Sequence, residues 1–247
     1  MAVIVSPNVS PEGLMLSLDA TNPRSYPGTG NTWYDVSGNN YNFTLTNSPS
    51  FTTHKNTACF TTIGGSSQNF VRNGSFTQDF ASNATIFIVM SSLSNNGFGG
   101  CSRILACSAG EVADVDHSSY FCLASCDTSR FGLWYKSNPG GLYSASVLQT
   151  ANDDFKIIAI RWTGGLTAQY FVNGVQESTA SIATAFNYAS VTRMTICSNA
   201  NATQQFATLR IAGVYMYARN MSNNEIKQNY NALRVDMGYK YNKEKIL

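Results

Sequence analysis

The chain has 247 residues, of which 43% are hydrophobic and 12% are charged, and its formal net charge is +2. The chain is nearly neutral and has no long basic run outside its C-terminal tail. It therefore lacks the basic surface that is typical of nucleic-acid-binding proteins. The charged share is about half of the ~25% usual for soluble domains, and Asn, Ser, Thr and Gly fill the polar positions instead. Such a surface suits contact with other proteins or with sugars, and a plain β-rich composition would also account for it.

Residues 1–12 (MAVIVSPNVSPE) begin apolar and then contain two prolines, which predicts an extended arm. An arm of this kind pairs with a neighbouring chain or lies along an edge of its own sheet. The segment lacks the basic and long apolar regions of a signal peptide. No stretch of the chain approaches the ~18 apolar residues of a membrane span, so we expect neither secretion nor a membrane span.

The next predicted elements are a strand and a hairpin. Gly13–Asp19 is the first predicted strand, and a loop rich in turn residues follows over Ala20–Asn31. Thr32–Ser37 and Tyr41–Thr46 are predicted to pair as a hairpin, because the second segment alternates with period two and a Gly-Asn-Asn turn separates them.

Short apolar runs between turn residues predict further strands through the middle of the chain. Asn83–Ser91 is continuously apolar and is expected at the centre of a sheet. Three successive segments are expected to form a meander: Arg103–Ser108, Ser119–Ala124 and Arg130–Lys136. Two shorter strands precede them, Ala58–Ile63 and Asn69–Arg72, and one follows much later, Val191–Ser198.

The strongest hairpin signal of the chain is Asn173-Gly174, an Asn-Gly pair between apolar stretches. It follows Phe155–Trp162 and Ala168–Val172, which a Thr-Gly-Gly turn joins.

Leu209–Tyr217 is predicted to be a strand buried on both faces, because residues of both parities are apolar. Strict alternation places Ile211 and Tyr215 on one face and Val214 and Met216 on the other. The chain therefore ends with a strand of the kind found at the centre of a two-sheet stack.

A single amphipathic helix is predicted after that strand. Ser222 with Glu225 three residues later forms a capping box, and Ile226, Tyr230 and Leu233 recur at helical spacing as a narrow apolar stripe. About a dozen strands and one helix, spread without a linker, predict one sandwich over residues 13–237. Residues 238–247 are a charged tail, which is either solvated or a docking peptide.

The six cysteines show no paired CxxC spacing, so a zinc site is not expected. In a chain made in a reducing cytoplasm they are expected to be small buried apolar residues. They are Cys59, Cys101, Cys107, Cys122, Cys126 and Cys197.

Three segments together resemble a known family: GLMLSLDATNPRSYPGTGNTWYDVSGNNYNFTLTN (13–47), FKIIAIRWTGGLTAQYFVNGVQ (155–176) and TLRIAGVYMYARNMSNNEIKQNYNAL (208–233). They are similar to concanavalin A-like, laminin-G-like jelly-roll domains of the type found in phage and large-virus particle proteins and in surface adhesins. The family's usual Trp-His-His is replaced here by Phe155-Lys-Ile. The resemblance implies an all-β fold of two antiparallel sheets with about six or seven strands each, often a concave sugar-binding face, and sometimes calcium.

The same fold includes β-glucanases, which need two carboxylates roughly 5 Å apart in a retaining mechanism. The one acidic cluster of this chain has Asp114 and Asp116 on one strand parity and Glu111 on the other. His117 adjoins it, but the run follows a Ser-Ala-Gly turn and is more typical of a loop. We expect no catalysis.

Calcium is the one cofactor that the sequence leaves open. Asp114, Asp116 and Asp127 offer hard oxygen ligands, as does the pair Asp153-Asp154 before a strand. None of these spacings is diagnostic, and Asp153-Asp154 equally suits a turn.

A glycan-binding surface would use exposed aromatic rings and amide side chains. Trp134 and Tyr135 are consecutive in a predicted strand, so one of them is expected to face outward, and Asn138 and Tyr143 flank a predicted Pro-Gly-Gly loop over Pro139–Gly141. We take these four residues as the predicted glycan surface. Trp33 and Trp162 are expected in the core, and Tyr26 and Tyr34 are further aromatic candidates.

The leading functional hypothesis is a non-enzymatic virion protein that decorates a capsid or belongs to a tail or fibre. It would contact other virion proteins, or copies of itself, through the arm and the tail. The alternative is a lectin or adhesin for cell-surface polysaccharide, and a glycoside hydrolase comes third.

Overall fold

The computed structural model describes residues 9–76, 83–92, 102–108, 121–125, 130–135, 138–147, 154–163, 167–181 and 191–236. These residues form sixteen strands and one α-helix. The strands are β1 (Leu14–Asp19), β2 (Thr32–Trp33), β3 (Phe43–Thr46), β4 (Ser50–His54), β5 (Thr57–Thr62), β6 (Asn69–Asn73), β7 (Asn83–Ser92), β8 (Ser102–Ser108), β9 (Phe121–Ser125), β10 (Arg130–Tyr135), β11 (Asn138–Val147), β12 (Lys156–Thr163), β13 (Thr167–Val172), β14 (Val175–Ser181), β15 (Arg193–Ile196) and β16 (Leu209–Tyr217). The helix is α1 (Asn223–Asp236).

The strands form two antiparallel sheets of eight strands each. Sheet A has the order β14-β13-β12-β7-β16-β5-β4, and β1 also pairs with β16. Sheet B has the order β11-β10-β9-β8-β15-β6-β3-β2. The predicted class, an all-β jelly-roll sandwich with one C-terminal helix, is confirmed.

The number of strands exceeds the predicted dozen, chiefly because polar strands lie at the sheet edges. β14 is mostly exposed along its length, and so is β4. Edge strands bury little apolar surface and therefore lack the alternating pattern on which a sequence prediction depends. The predicted turn Asn173-Gly174 does join β13 to β14, and both residues have the positive φ angles, 51° and 78°, of a type I′ turn.

The main core lies between the two sheets. Large side chains from both sheets meet there, with Trp33, Phe60 and Phe70 fully buried and in ring contact. Trp162 is also fully buried. The prediction that both tryptophans belong to the core is confirmed.

Strand β16 lies inside sheet A between β7 and β5, and both of its faces are buried as predicted. The predicted alternation of side chains between the two faces does not hold in the middle of β16. Ile211, Val214 and Met216 all face the main core, whereas Tyr215 packs on the outer face of sheet A. A β-bulge between Ile211 and Gly213 adds one residue to the strand and exchanges the two faces beyond it.

Helix α1 covers the outer face of sheet A, with Ile226 and Leu233 buried against it as predicted. The capping box is confirmed. The Ser222 hydroxyl accepts the Glu225 N–H (3.3 Å), and the Glu225 carboxylate accepts the Ser222 N–H (2.7 Å). Within the described residues, no helix combines the length and the apolar content needed to cross a bilayer.

The capping carboxylate makes the stability of α1 depend on pH. A hydrogen bond from Arg219, followed by hydrogen bonds from Ser222, lowers the pKa of Glu225 to about 2. Because this pKa lies below the unfolded value of ~4.3, the stabilisation is complete above that value and is lost as the pH falls from about 4 through 2. We expect Glu225→Gln to lower the free energy of unfolding by ~1 kcal/mol at pH 7.

Urea unfolding of the wild type and the variant at several pH values between 7 and 3 checks this expectation. The difference between the two proteins should shrink toward the acidic end. Glu177→Gln on the exposed strand β14 is the matched control and should have no effect at any pH. A Glu225→Gln effect that does not change with pH would contradict the prediction.

Candidate functional site

The four residues of the predicted glycan surface lie on one hairpin. Trp134 and Tyr135 end strand β10, and Asn138 and Tyr143 belong to strand β11. The two strands pair so that Tyr135 is opposite Asn138, while Tyr143 is opposite Gly132, three residues before Tyr135. Since a strand rises ~3.3 Å per residue, the four backbone positions span about 10 Å. The structure describes their backbone and not their side chains, so their role in binding stays a prediction.

The hairpin differs from the prediction in one respect. Pro139–Gly141 was expected to be a loop, but the structure places it inside β11. β11 is the last strand of sheet B, and an edge strand tolerates proline because its outward N–H needs no partner. β11 also contacts β14, the edge strand of sheet A, so the hairpin lies where the two sheets meet.

Small buried residues lie beside the hairpin on β9. Trp134 is opposite Cys122, and Gly132 is opposite Ala124. Cys122 and Ala124 belong to a buried cluster with Ala106 and Ala200, separate from the main core. Strand β9 therefore places small side chains opposite Gly132 and Trp134 of the hairpin.

One cation lies close to this cluster. Arg103 on β8 is opposite Ala124 and is 3% exposed. Burial raises the pKa of Cys122 to about 11, and the charge of Arg103 lowers it in part. The Cys122 thiol is therefore protonated at neutral pH.

The other aromatic candidates differ in how far their side chains are exposed to solvent. Tyr26 is buried and its hydroxyl donates to the carbonyl oxygen of Gly30 (3.0 Å). Trp33 is fully buried, and Tyr34 is 44% exposed. Of these three, only Tyr34 offers a ring to solvent, and it lies near β2 at the opposite edge of sheet B from the hairpin.

The predicted calcium ligands Asp114, Asp116 and Asp127 lie outside the described residues, as do Glu111, His117 and Asp153. Asp154 is described and forms an ion pair with Lys55. In the described part of the chain, no group of three or more His, Cys, Asp or Glu side chains is placed to hold a metal ion. The calcium prediction therefore stays open.

The sequence reasoning missed the carboxylate that organises the loop between β2 and β3. One oxygen of Asp35 accepts the N–H groups of Ser17 and Ser37, both at 2.9 Å. The other accepts the Tyr41 N–H at 2.9 Å and the Ser37 hydroxyl at 2.8 Å. Asp followed by Ser-Gly two residues later is a known turn signal, but the bond to β1 is not local and cannot be read from the pattern. Asp35 is a structural carboxylate.

Four of the six cysteines are described, and all four are buried as predicted: Cys59, Cys107, Cys122 and Cys197. None of them forms a disulfide bond. Burial raises the pKa of Cys197 to about 12 and raises the pKa of Cys107 above its usual range. Cys101 and Cys126 lie outside the described residues.

We expect these four thiols to be unreactive in the native protein. A thiol with a pKa near 11 is less than ~0.1% thiolate at pH 8, and only the thiolate reacts. In a variant with Cys101→Ser and Cys126→Ser, Ellman's reagent should label no thiol at pH 8 until guanidinium exposes all four. Rapid labelling of the folded variant would contradict the burial.

Solved structures share this fold at low sequence identity. The sialidase of Trypanosoma rangeli in complex with sialic acid has a TM-score of 0.64 at 14% identity, over 91% of this chain and 33% of that one. The binding domain of Paraclostridial Mosquitocidal Protein 1 has a TM-score of 0.63 at 14% identity, over 90% of this chain and 52% of that one. A point mutant of HCR/D has a TM-score of 0.63 at 12% identity, with the same coverage.

The chain thus spans about a third of the length of the sialidase. The likeness establishes a jelly-roll β-sandwich and nothing finer, because many functions share such a fold. No protein-family model matches the sequence, and no curated protein matches it.

Proposed function

We propose that this chain is a non-catalytic recognition domain that binds glycans through the β10–β11 hairpin. The observation that carries the proposal is the placement of the four predicted residues on one hairpin at the edge of sheet B, where Trp134 shares its strand parity with Tyr143 and Tyr135 shares its parity with Asn138, so that one of these two pairs would form the surface. Aromatic rings offer flat apolar faces to the C–H groups of a sugar, and an amide both donates and accepts hydrogen bonds from hydroxyl groups.

Two further observations support this function. The positions span about 10 Å along the strands, which suits a short stretch of an oligosaccharide. The low charged share of 12% suits contact with neutral hydroxyl groups. Among the proteins of similar fold, one is a sialidase in complex with sialic acid and another is the binding domain of a mosquitocidal protein.

A glycan array with the full chain tests the proposal, in the presence of calcium and again with EDTA. Trp134→Ala should weaken binding to any positive glycan by about tenfold or more, since a lost stacking contact of ~1.5 kcal/mol corresponds to that factor. Tyr34→Ala is the matched control, an exposed ring at the far edge of the same sheet. A silent array in both conditions, or equal losses in the two variants, would contradict the proposal.

If glycan binding depends on calcium, the predicted acidic residues can be tested as its ligands. If EDTA abolishes binding, replacing Asp114, Asp116 and Asp127 one at a time by Asn should do the same. Binding that is unchanged by EDTA removes calcium from the proposal and leaves the hairpin.

A glycoside hydrolase is the competing function of the same fold. Described carboxylates such as those of Asp35, Asp154 and Glu225 are engaged in structural contacts. If the chain hydrolyses a bound glycan, and Asp114→Ala or Asp116→Ala abolishes this hydrolysis, the function is catalysis and not recognition alone.

A virion structural role is the second candidate, in which the domain decorates a capsid or forms part of a tail or fibre. It is favoured by the root of the arm, which is bound to the body of the domain. The Ser10 N–H donates to Asn229 Oδ1 (2.9 Å), and Arg219 Nε donates to the Glu12 carbonyl (2.8 Å). The described end of the arm is therefore anchored to the body of the domain.

Light scattering after size-exclusion chromatography tests this role. The full chain is compared with a variant that lacks residues 1–12 and 238–247. Self-assembly of the full chain alone would support a structural role carried by the termini, and two identical monomers that do not bind particles would count against it.

A further inference from the structure

A cavity of about 90 Å³ lies where helix α1 packs on the start of strand β12 in sheet A. Phe155 and Ile157 form its apolar floor and are 5% and 4% exposed. Asn173, Tyr230 and Arg234 complete the lining, and all three are partly buried. The cavity therefore opens to solvent on the side of its polar groups.

Asn173 is held rigidly at this cavity by two hydrogen bonds to Ile157. The Asn173 N–H donates to the Ile157 carbonyl oxygen (2.8 Å), and Asn173 Oδ1 accepts the Ile157 N–H (3.1 Å). The oxygen of the side-chain amide is thus engaged, and its NH₂ group points in another direction. Among the described residues, nothing accepts a hydrogen bond from this NH₂ group. It is left as a fixed donor.

The two helical residues of the lining are packed against the same turn and against each other. The ring of Tyr230 lies so close to Gly174 that a Cβ atom there would be 2.9 Å from the ring. The guanidinium carbon of Arg234 lies 5.7 Å from the centre of the Tyr230 ring, within the range of a cation–π contact. The Tyr230 hydroxyl makes no hydrogen bond to a described residue. The cavity thus has a phenolic hydroxyl and a guanidinium in fixed places.

The polar groups of the lining are almost all hydrogen-bond donors. A guanidinium and an amide NH₂ group only donate, and only the phenolic hydroxyl can also accept. Among the described residues that line the cavity, Arg234 alone is charged. The carboxylate of Asp154, the residue before Phe155, is paired with Lys55. A ligand that satisfies this lining therefore brings acceptor oxygens and a negative charge.

The volume and the floor define the rest of the ligand. A cavity of ~150 Å³ holds the six carbons of benzene, so 90 Å³ suits about four or five non-hydrogen atoms. Phosphate and sulfate have this size, but they would place oxygen atoms on Phe155 and Ile157, where an apolar surface offers them no donor. A carboxylate with a short alkyl group matches both the donors and the floor.

We propose that this cavity binds a small carboxylate of about the size of propionate. Its alkyl group lies on Phe155 and Ile157. Its oxygens accept hydrogen bonds from Arg234, Asn173 and Tyr230. The carboxylate belongs either to a free short-chain acid or to an acidic saccharide, whose remainder would lie on the open side. The cavity is on sheet A, whereas the predicted glycan hairpin is on sheet B, so the inference does not depend on the proposed function.

An NMR titration of the isotope-labelled full chain with sodium propionate, at constant ionic strength, tests the site. We expect saturable shifts of the Ile157 and Asn173 amide signals with a dissociation constant of about 1 mM, which a ligand of five non-hydrogen atoms can reach. Propionamide has the same shape without the charge and should bind at least about tenfold more weakly. Shifts that do not saturate, or equal affinity for propionamide, overturn the inference.

Two variants of the same helix show whether the cavity supplies the charge. Arg234→Gln should weaken propionate binding at least about tenfold, because a charge-assisted hydrogen bond is lost. Lys227→Gln, at an exposed position, removes the same charge and is the matched control, which should bind as the wild type does. Equal losses in the two variants overturn the site.

The amide signals of Ile226 and Leu233, which are buried under α1, report whether each variant keeps the helix in place. If Arg234→Gln disturbs them, Tyr230→Phe takes its place. This variant removes only a hydroxyl group and should weaken binding about threefold, and unchanged affinity would overturn the assignment of the donors.

A hexuronate such as galacturonate distinguishes the two sources of the carboxylate. Affinity equal to or higher than that for propionate assigns an acidic saccharide, and affinity at least about tenfold lower assigns a free short-chain acid. Both results support the carboxylate site. A silent glycan array together with saturable propionate binding would contradict the hairpin proposal alone, so the two proposals fail separately.

Discussion

Trp33→Ala is expected to lower the free energy of unfolding by ~3–5 kcal/mol, as large-to-small substitutions in a packed core do. The indole is fully buried, and its ring centre lies 4.8 Å from that of Phe60 and 5.2 Å from that of Phe70. These contacts join sheet B, which carries Trp33 and Phe70, to sheet A, which carries Phe60. Nε1 of Trp33 makes no hydrogen bond within the described residues, so lost packing accounts for the effect.

Urea unfolding measures this difference, with the midpoint and the slope fitted separately. Tyr34→Ala is the matched control, since its ring is 44% exposed and its loss should change stability by less than ~0.5 kcal/mol. The comparison also bears on function. If Trp33 served as a sugar platform, Trp33→Ala would leave stability nearly unchanged and abolish binding, and that result would contradict its place in the core.

Asp35→Ala is the second substitution with a large expected effect. The carboxylate accepts four hydrogen bonds, and those from the Ser17 and Tyr41 N–H groups are buried. Removing the acceptor leaves these donors without a partner, at ~1–3 kcal/mol each. We expect the free energy of unfolding to fall by ~2–5 kcal/mol. Asp35→Asn should lower the free energy of unfolding by a similar amount, because the NH₂ group of an amide cannot accept a hydrogen bond.

Asp19→Ala provides the comparison for Asp35. The Asp19 carboxylate accepts hydrogen bonds from the N–H and the hydroxyl of Thr21, two residues away, so its removal should cost only ~1 kcal/mol. The two variants should unfold as single cooperative transitions in urea. Equal losses for Asp19→Ala and Asp35→Ala would show that Asp35 organises only its own turn.

Local features of the chain could be predicted from the sequence. The capping box at Ser222 and Glu225, the Asn173-Gly174 turn and the buried strand Leu209–Tyr217 are all present as expected. Each depends on residues close together in the chain, where the side chain itself selects the backbone conformation or the burial. The burial of Trp33 was expected from the resemblance of residues 13–47 to the jelly-roll family, and it is confirmed.

Other features depend on contacts between distant residues, and no local pattern indicates them. The bulge beyond Ile211 allows the Ala212 carbonyl to accept the Ala20 N–H from far along the chain (2.8 Å). Asp35 bonds β1 as well as its own loop. Pro139–Gly141 lies inside β11 at an irregularity of its pairing with β10, between the pairs Leu133–Leu142 and Tyr135–Asn138.

The sequence by itself therefore determined the fold class, the helix and the residue types suited to a glycan surface, since apolar periodicity and turn chemistry are local properties. Only the tertiary structure decided which strands are neighbours. Strand order placed the β10–β11 hairpin, with Trp134, Tyr135, Asn138 and Tyr143, at the edge of sheet B. Pairing between strands depends on backbone hydrogen bonds, which every residue can accept and every residue except proline can donate, so the side-chain sequence carries little information about it.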